Sequence, residues 1–102
     1  MKRCVLLLAL VGIGCKGDPE KCEKAVRNYY SLMYWDQAEA EIKKLPKQDQ
    51  DKLRKDKLAT FEADMAKNVD MVVSQCVSAN NDTQVDCMID AKTAADAKAC
   101  TD

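Results

Sequence analysis

Beyond Gly17 the chain contains no glycine at all, and its only two prolines stand at positions 19 and 46. These are the two residues that most disfavour a helix interior, so the backbone chemistry leaves helix open almost everywhere and interrupts it at Pro46. Asp18, followed by Pro19 and Glu20, reads as a helix start. It supplies a side-chain acceptor at the N-cap, a ring with φ already set at the first helical position and an acid in the first turn.

From there Cys22, Ala25, Tyr29, Leu32, Trp35, Ala38, Ile42 and Leu45 recur in steps of three and four, which places them on one helical face. A helix from 19 to 45 would be about 40 Å long. A second stripe begins near Gln48 and runs through Leu58, Phe61, Met65, Val69, Val72 and Cys76. It stops at Ala79-Asn80-Asn81-Asp82, where short polar side chains favour turns and caps. Asn81 with Gln84 forms a capping-box pattern for a third helix that turns Val85, Met88 and Ile89 inward, and Thr93 with Asp96 forms another for a last turn or two ending at Cys100. The expected fold is all-α: a long antiparallel helical hairpin followed by a short C-terminal helical hairpin.

The first residues follow a different logic. Lys2 and Arg3 precede the apolar run CVLLLALVGI, and Gly12 and Gly14 lie just before Cys15. This is the three-part layout of an export signal, and the run falls well short of the roughly 20 apolar residues that a membrane-spanning helix needs. VGIGC after such a run resembles the lipobox of bacterial lipoproteins. The resemblance implies cleavage after Gly14 and lipidation of Cys15, with diacylglyceryl and fatty acyl groups of the palmitate type. Gly12 departs from the large aliphatic residue usual at its position, and Gly12 with Gly14 also satisfies the small-x-small pattern of ordinary secretory cleavage. The chain then divides into a signal peptide at 1–14, a lipidated tether at 15–18 and a helical domain at 19–102. Lys16 after the anchor is not the Asp that the family associates with inner-membrane retention, so the outer membrane is the favoured destination. Residues 76 to 100 also resemble small uncharacterised four-cysteine helical lipoproteins, a likeness that implies no activity.

The cysteine count fits this division. Of six cysteines, Cys4 leaves with the signal and Cys15 is taken by lipid, leaving Cys22, Cys76, Cys87 and Cys100. An even set in an oxidising compartment reads as two disulfides. Covalent crosslinks also suit a short, elongated chain with little core. The turns near Pro46 and Asn80 favour pairing Cys76 with Cys87 and Cys22 with Cys100. Pairing Cys22 with Cys76 and Cys87 with Cys100 satisfies almost the same geometry. Metal binding is not expected, because the chain has no histidine and no C-x-x-C pair.

Three features bear on function. YYSLMYW at 29–35 crowds large residues into two turns; the α-helical stripe explains most of them as core, and leaves Tyr30, Met33 and Tyr34 as candidates for a partner surface. KKLPKQDQDKLRKDK at 43–57 holds seven basic and three acidic residues, while 58–102 holds three basic and eight acidic. The molecule is thus polarised along its length, with Lys47 and Arg54 as candidate contacts to an anionic envelope protein or cell-wall polymer; the same residues also suit a solvated tip with i to i+4 pairs such as Asp51 with Lys55. Without Lys2 and Arg3 the chain keeps 14 basic against 17 acidic residues, a net charge of −3, which does not suit nucleic acid. No cofactor motif and no catalytic constellation is present, and the serines at 31, 74 and 78 lack an activating base. The sequence therefore points to a membrane-anchored, non-enzymatic binding or adaptor module of the bacterial envelope. A structural or protective envelope protein without a specific ligand is the alternative, and a soluble secreted helical protein follows if Cys15 carries no lipid.

Overall fold

The computed structural model describes residues 17–101. The expected signal peptide and Cys15 lie outside these residues. Among the described residues there are four helices and no strand: α1 (Pro19–Ile42), α2 (Lys47–Ala79), α3 (Asp82–Asp90) and α4 (Ala94–Ala99). The long hairpin and the shorter C-terminal hairpin are both present.

Each boundary has a local cause. The Asp18 carboxylate accepts hydrogen bonds from the backbone N–H of Glu20 at 2.9 Å and Lys21 at 3.4 Å, which satisfies two of the unpaired donors that open α1. α1 ends at Ile42, three residues short of the periodicity, because the chain tightens there: Leu45 N–H donates to Ile42 O at 3.0 Å, and the Gln50 side chain donates to Leu45 O at 3.0 Å. Pro46 then precedes the first residue of α2. α2 closes on Asn80, whose left-handed backbone (φ 51°) lets its N–H return to Cys76 O at 3.1 Å. Asn81 Oδ1 accepts from Gln84 N–H at 3.0 Å, as the capping pattern predicts, but the Gln84 amide donates to Cys100 O at 3.2 Å instead of turning back. Thr93 Oγ1 accepts from Asp96 N–H at 3.0 Å at the start of α4.

The helices alternate in direction, and α1 is the central element, packed against α2 on one side and against α3 and α4 on another. Its aromatic-rich stretch is accordingly flanked on two sides, Tyr34 against Phe61 of α2 and Trp35 towards the start of α4. The main core forms where α1, α2 and α3 meet, with Cys22, Ala25 and Val85 buried and Val73, Cys76, Val77, Met88 and Ile89 packed around them. Ala38 and Ile42 are buried nearer the tip. The extents of 61 × 25 × 15 Å and the 17.2 Å radius of gyration compare with about 12 Å for a compact domain of this length, so the molecule is a rod.

Two disulfides are present, Cys22–Cys76 and Cys87–Cys100. The favoured pairing of Cys76 with Cys87 and Cys22 with Cys100 is overturned. The reason lies in helix phase. At about 100° per residue, Cys87 points some 160° away from Val85, and it is Val85 that faces Cys22 in the core. Cys76 therefore meets α1, while the exposed Cys87 faces α4 and Cys100.

Candidate functional site

On the side of the hairpin that α4 does not cover, α1 and α2 diverge enough to leave a cleft of about 450 Å³. Its floor holds the buried Val26 of α1 and Val69 of α2, and its walls include Tyr30, Met33, Tyr34, Phe61, Met65 and Met71. Asp64 is the single charged residue among those lining it. Towards α3 a second depression of about 300 Å³ shares Val26, Tyr30 and Val72 with the first and reaches Met88, Gln84 and Asn81. The two form one trough along the rod. Each described methionine, at 33, 65, 71 and 88, lines it.

The large hydrophobic residues left exposed are Tyr30 (43%), Leu58 (44%) and Met71 (57%). Tyr30 and Met71 are cleft walls, and Leu58 lies one helical turn before Phe61. Leu58 was expected in the inward stripe of the second helix, but it is exposed. Scattered exposed apolar residues mean little, whereas their convergence on one face marks a potential contact surface.

The three sequence-nominated partner residues divide. Tyr30 is exposed, with its ring edge-on to Tyr29 at 5.2 Å. Met33 is half-buried in the cleft wall. Tyr34 is also half-buried: its hydroxyl donates to Lys57 O at 2.7 Å, and its ring packs on Phe61 at 4.9 Å and edge-on to Trp35 at 5.3 Å. Tyr34 thus ties α1 to α2 while presenting one ring edge to the cleft. Trp35 lines a separate shallow depression between α1 and the start of α4, with Leu32 and Thr93.

At the tip, the basic residues do two different things. Arg54 grips Glu39 through two parallel hydrogen bonds, Nε to Oε2 at 3.0 Å and Nη2 to Oε1 at 2.9 Å, and Lys57 reaches Glu41 at 2.8 Å. These cross-hairpin bonds hold both glutamate carboxyls below the ordinary glutamate value, because the hydrogen bond from the cation favours the ionised form. Asp51 pairs with Arg54 at 3.7 Å rather than with Lys55. Lys47 is exposed, and with Lys43, Lys44 and Lys55 it makes no ion pair among the described residues. The tip is therefore less free as a cationic surface than its composition suggests, and Arg54 in particular is already committed.

Sequence reasoning missed Asn28. Its side-chain amide donates to the carbonyls of Met88 at 2.7 Å and Ala91 at 3.0 Å, with a longer contact to Ile89. It thereby occupies the acceptors left over where α3 ends. A polar residue one turn after Ala25 on the apolar stripe was the available signal. No group of His, Cys, Asp and Glu suited to a metal ion is found among the described residues, and no helix there is long and apolar enough to cross a membrane. No family model, curated protein or solved structure matches this chain.

Proposed function

We propose that the protein is a lipid-anchored bacterial envelope protein that works as a small, non-enzymatic helical binding or adaptor module. The observation that carries the binding role is the uncovered apolar cleft of about 450 Å³ between α1 and α2, with Tyr30 exposed on its wall. A chain this short and rod-shaped has little apolar surface to spare for its own core, so an open apolar trough is unusual for a purely inert scaffold. The export-signal layout before Cys15 supports the envelope location. The two disulfides support an oxidising compartment on independent grounds.

The amino-terminal end of α1 lies far from the basic tip. Gly17, two residues after Cys15, donates its N–H to Val77 O at 3.0 Å, at the opposite end of the rod from Pro46. An anchored molecule would extend its basic tip outward from the membrane, and the cleft would sit between.

The anchor is tested by intact mass of the protein extracted from membranes. The expected mass corresponds to a chain beginning at Cys15, with diacylglyceryl and acyl increments and the loss of four hydrogens for two disulfides. An unmodified Cys15, or five free thiols, refutes the anchored reading and leaves a secreted protein. One observation favours a structural role for part of the aromatic cluster: Tyr34 spends its hydroxyl on Lys57 O inside the hairpin.

A further inference from the structure

We infer that the Cys87–Cys100 disulfide is a site of thiol–disulfide exchange: a dithiol opens it, α4 leaves its seat on α1, and the rest of the rod stays folded. The inference concerns the α4 side of the molecule and does not depend on what the cleft binds.

Access separates the two disulfides. Cys87 is exposed on α3, and its partner Cys100 is half-buried. Cys22 is buried in the core beside Ala25 and Val85, with Cys76 packed against that cluster. Exchange begins with a thiolate reaching one sulfur, so exposed disulfides are the reducible ones.

The crosslink also carries much of the attachment of α4. This helix has six residues, too few to persist alone. Its one buried residue is Ala97, and an alanine methyl removes little apolar area from water. Next to the crosslink, the Gln84 side chain donates to Cys100 O at 3.2 Å. The hairpin needs none of this. It keeps Cys22–Cys76, the Tyr34 bond to Lys57 O and the Arg54–Glu39 pair when α4 departs.

The exchange balances. The first thiolate of the dithiol attacks Cys87 Sγ, and the electron pair of the broken S–S bond leaves on Cys100 Sγ, which takes a proton from water. The second thiolate attacks the sulfur of the first, and Cys87 departs as a thiolate that is protonated in turn. Two electrons and two protons pass overall: the dithiol becomes a disulfide and the protein gains two thiols. What opening uncovers is the α1 surface around Leu32 and Trp35, which forms one shallow depression with Thr93 and Ala94 at the start of α4. Trp35 is the chain's single tryptophan, so its fluorescence reports this seat alone.

The test uses the exported chain with Cys15→Ser and dithiothreitol as the dithiol. Reductant is added until alkylation and mass mapping find Cys87 and Cys100 free and Cys22–Cys76 intact. The expected result is a red shift of Trp35 emission and amide hydrogen exchange at least about tenfold faster over 94–100, with protection in α2 unchanged. The Cys87→Ser, Cys100→Ser double variant should show the same two changes without reductant. Glutathione disulfide should reverse them in the reduced parent. Unchanged Trp35 emission or unchanged exchange over 94–100 once the bond is open overturns the inference and leaves a passive staple. Loss of protection in α2 at the same time, a double variant that fails to fold, opening of Cys22–Cys76 first, or no recovery with glutathione disulfide overturns it as well.

Discussion

Asn28 is the residue on which the packing of α3 onto α1 turns. A single amide group donates to Met88 O and Ala91 O, so its removal leaves acceptors stranded in a partly buried place. An unsatisfied buried polar group costs about 1–3 kcal/mol, and Asn28→Ala should lower unfolding stability by about 2 kcal/mol on that basis, measured by urea denaturation. An effect below a few tenths would show that water replaces the amide freely. Tyr34 makes a smaller contribution of the same kind. Tyr34→Phe keeps the ring on Phe61 and loses the bond to Lys57 O, a loss of about 1 kcal/mol for a neutral hydrogen bond. Gly17 is constrained differently: a Cβ there would meet the Cα and O of Val77 at 3.3 Å. Because those are backbone atoms of a helix, they yield little, and the glycine allows the chain to lie against α2.

At the scale of elements, the long hairpin is fastened near its tip by Arg54 with Glu39 and Lys57 with Glu41. Both glutamates have lowered pKa values in the folded chain, from the hydrogen-bonding cations first and their field second. A carboxylate whose pKa is lowered by folding adds stability above its unfolded value and loses it as pH falls through the folded one. Thermal stability should therefore decline on the acid side of the ordinary glutamate range. The Glu39→Gln, Glu41→Gln double variant should show a shallower decline; identical acid limbs would mean that these exposed pairs contribute nothing measurable. Lys21 behaves oppositely, raised by its hydrogen bond to Asp86, so its contribution is lost only as pH rises through that raised value.

The elements were largely legible in the residues. Asp18-Pro19, Pro46 and Asn80-Asn81 each punctuate the chain where the structure does, because capping and ring geometry are local. The cleft was only partly legible. Tyr30, Met33 and Tyr34 were nominated from crowding in YYSLMYW, but Met71 was not, since periodicity says which residues share a face and not how far two helices stand apart.

For the molecule as a whole, the two disulfides differ in what they close and in how they are shielded. Cys22–Cys76 spans 54 residues and Cys87–Cys100 spans 13, which in the chain-entropy picture corresponds to about 4 and about 3 kcal/mol. Cys22 is buried, whereas Cys87 is exposed. Under graded dithiothreitol followed by alkylation and mass mapping, Cys87 and Cys100 should label before Cys22 and Cys76. Simultaneous labelling would indicate that the rod opens globally first. The turn positions alone left the connectivity open, since both pairings satisfy them; what separates the two is helix phase, which sets Cys87 on the face opposite the inward Val85.

The position of Cys22 also sets how the molecule bears load. A pull on the chain at Gly17 meets Cys22 within the first turns of α1, where the crosslink passes the force straight across to α2. From that point towards the tip, tension would run lengthwise along two helices side by side rather than peeling one from the other. The hairpin is thus built like a shackled strut, stiff against traction from its amino-terminal end while its flank stays free to engage.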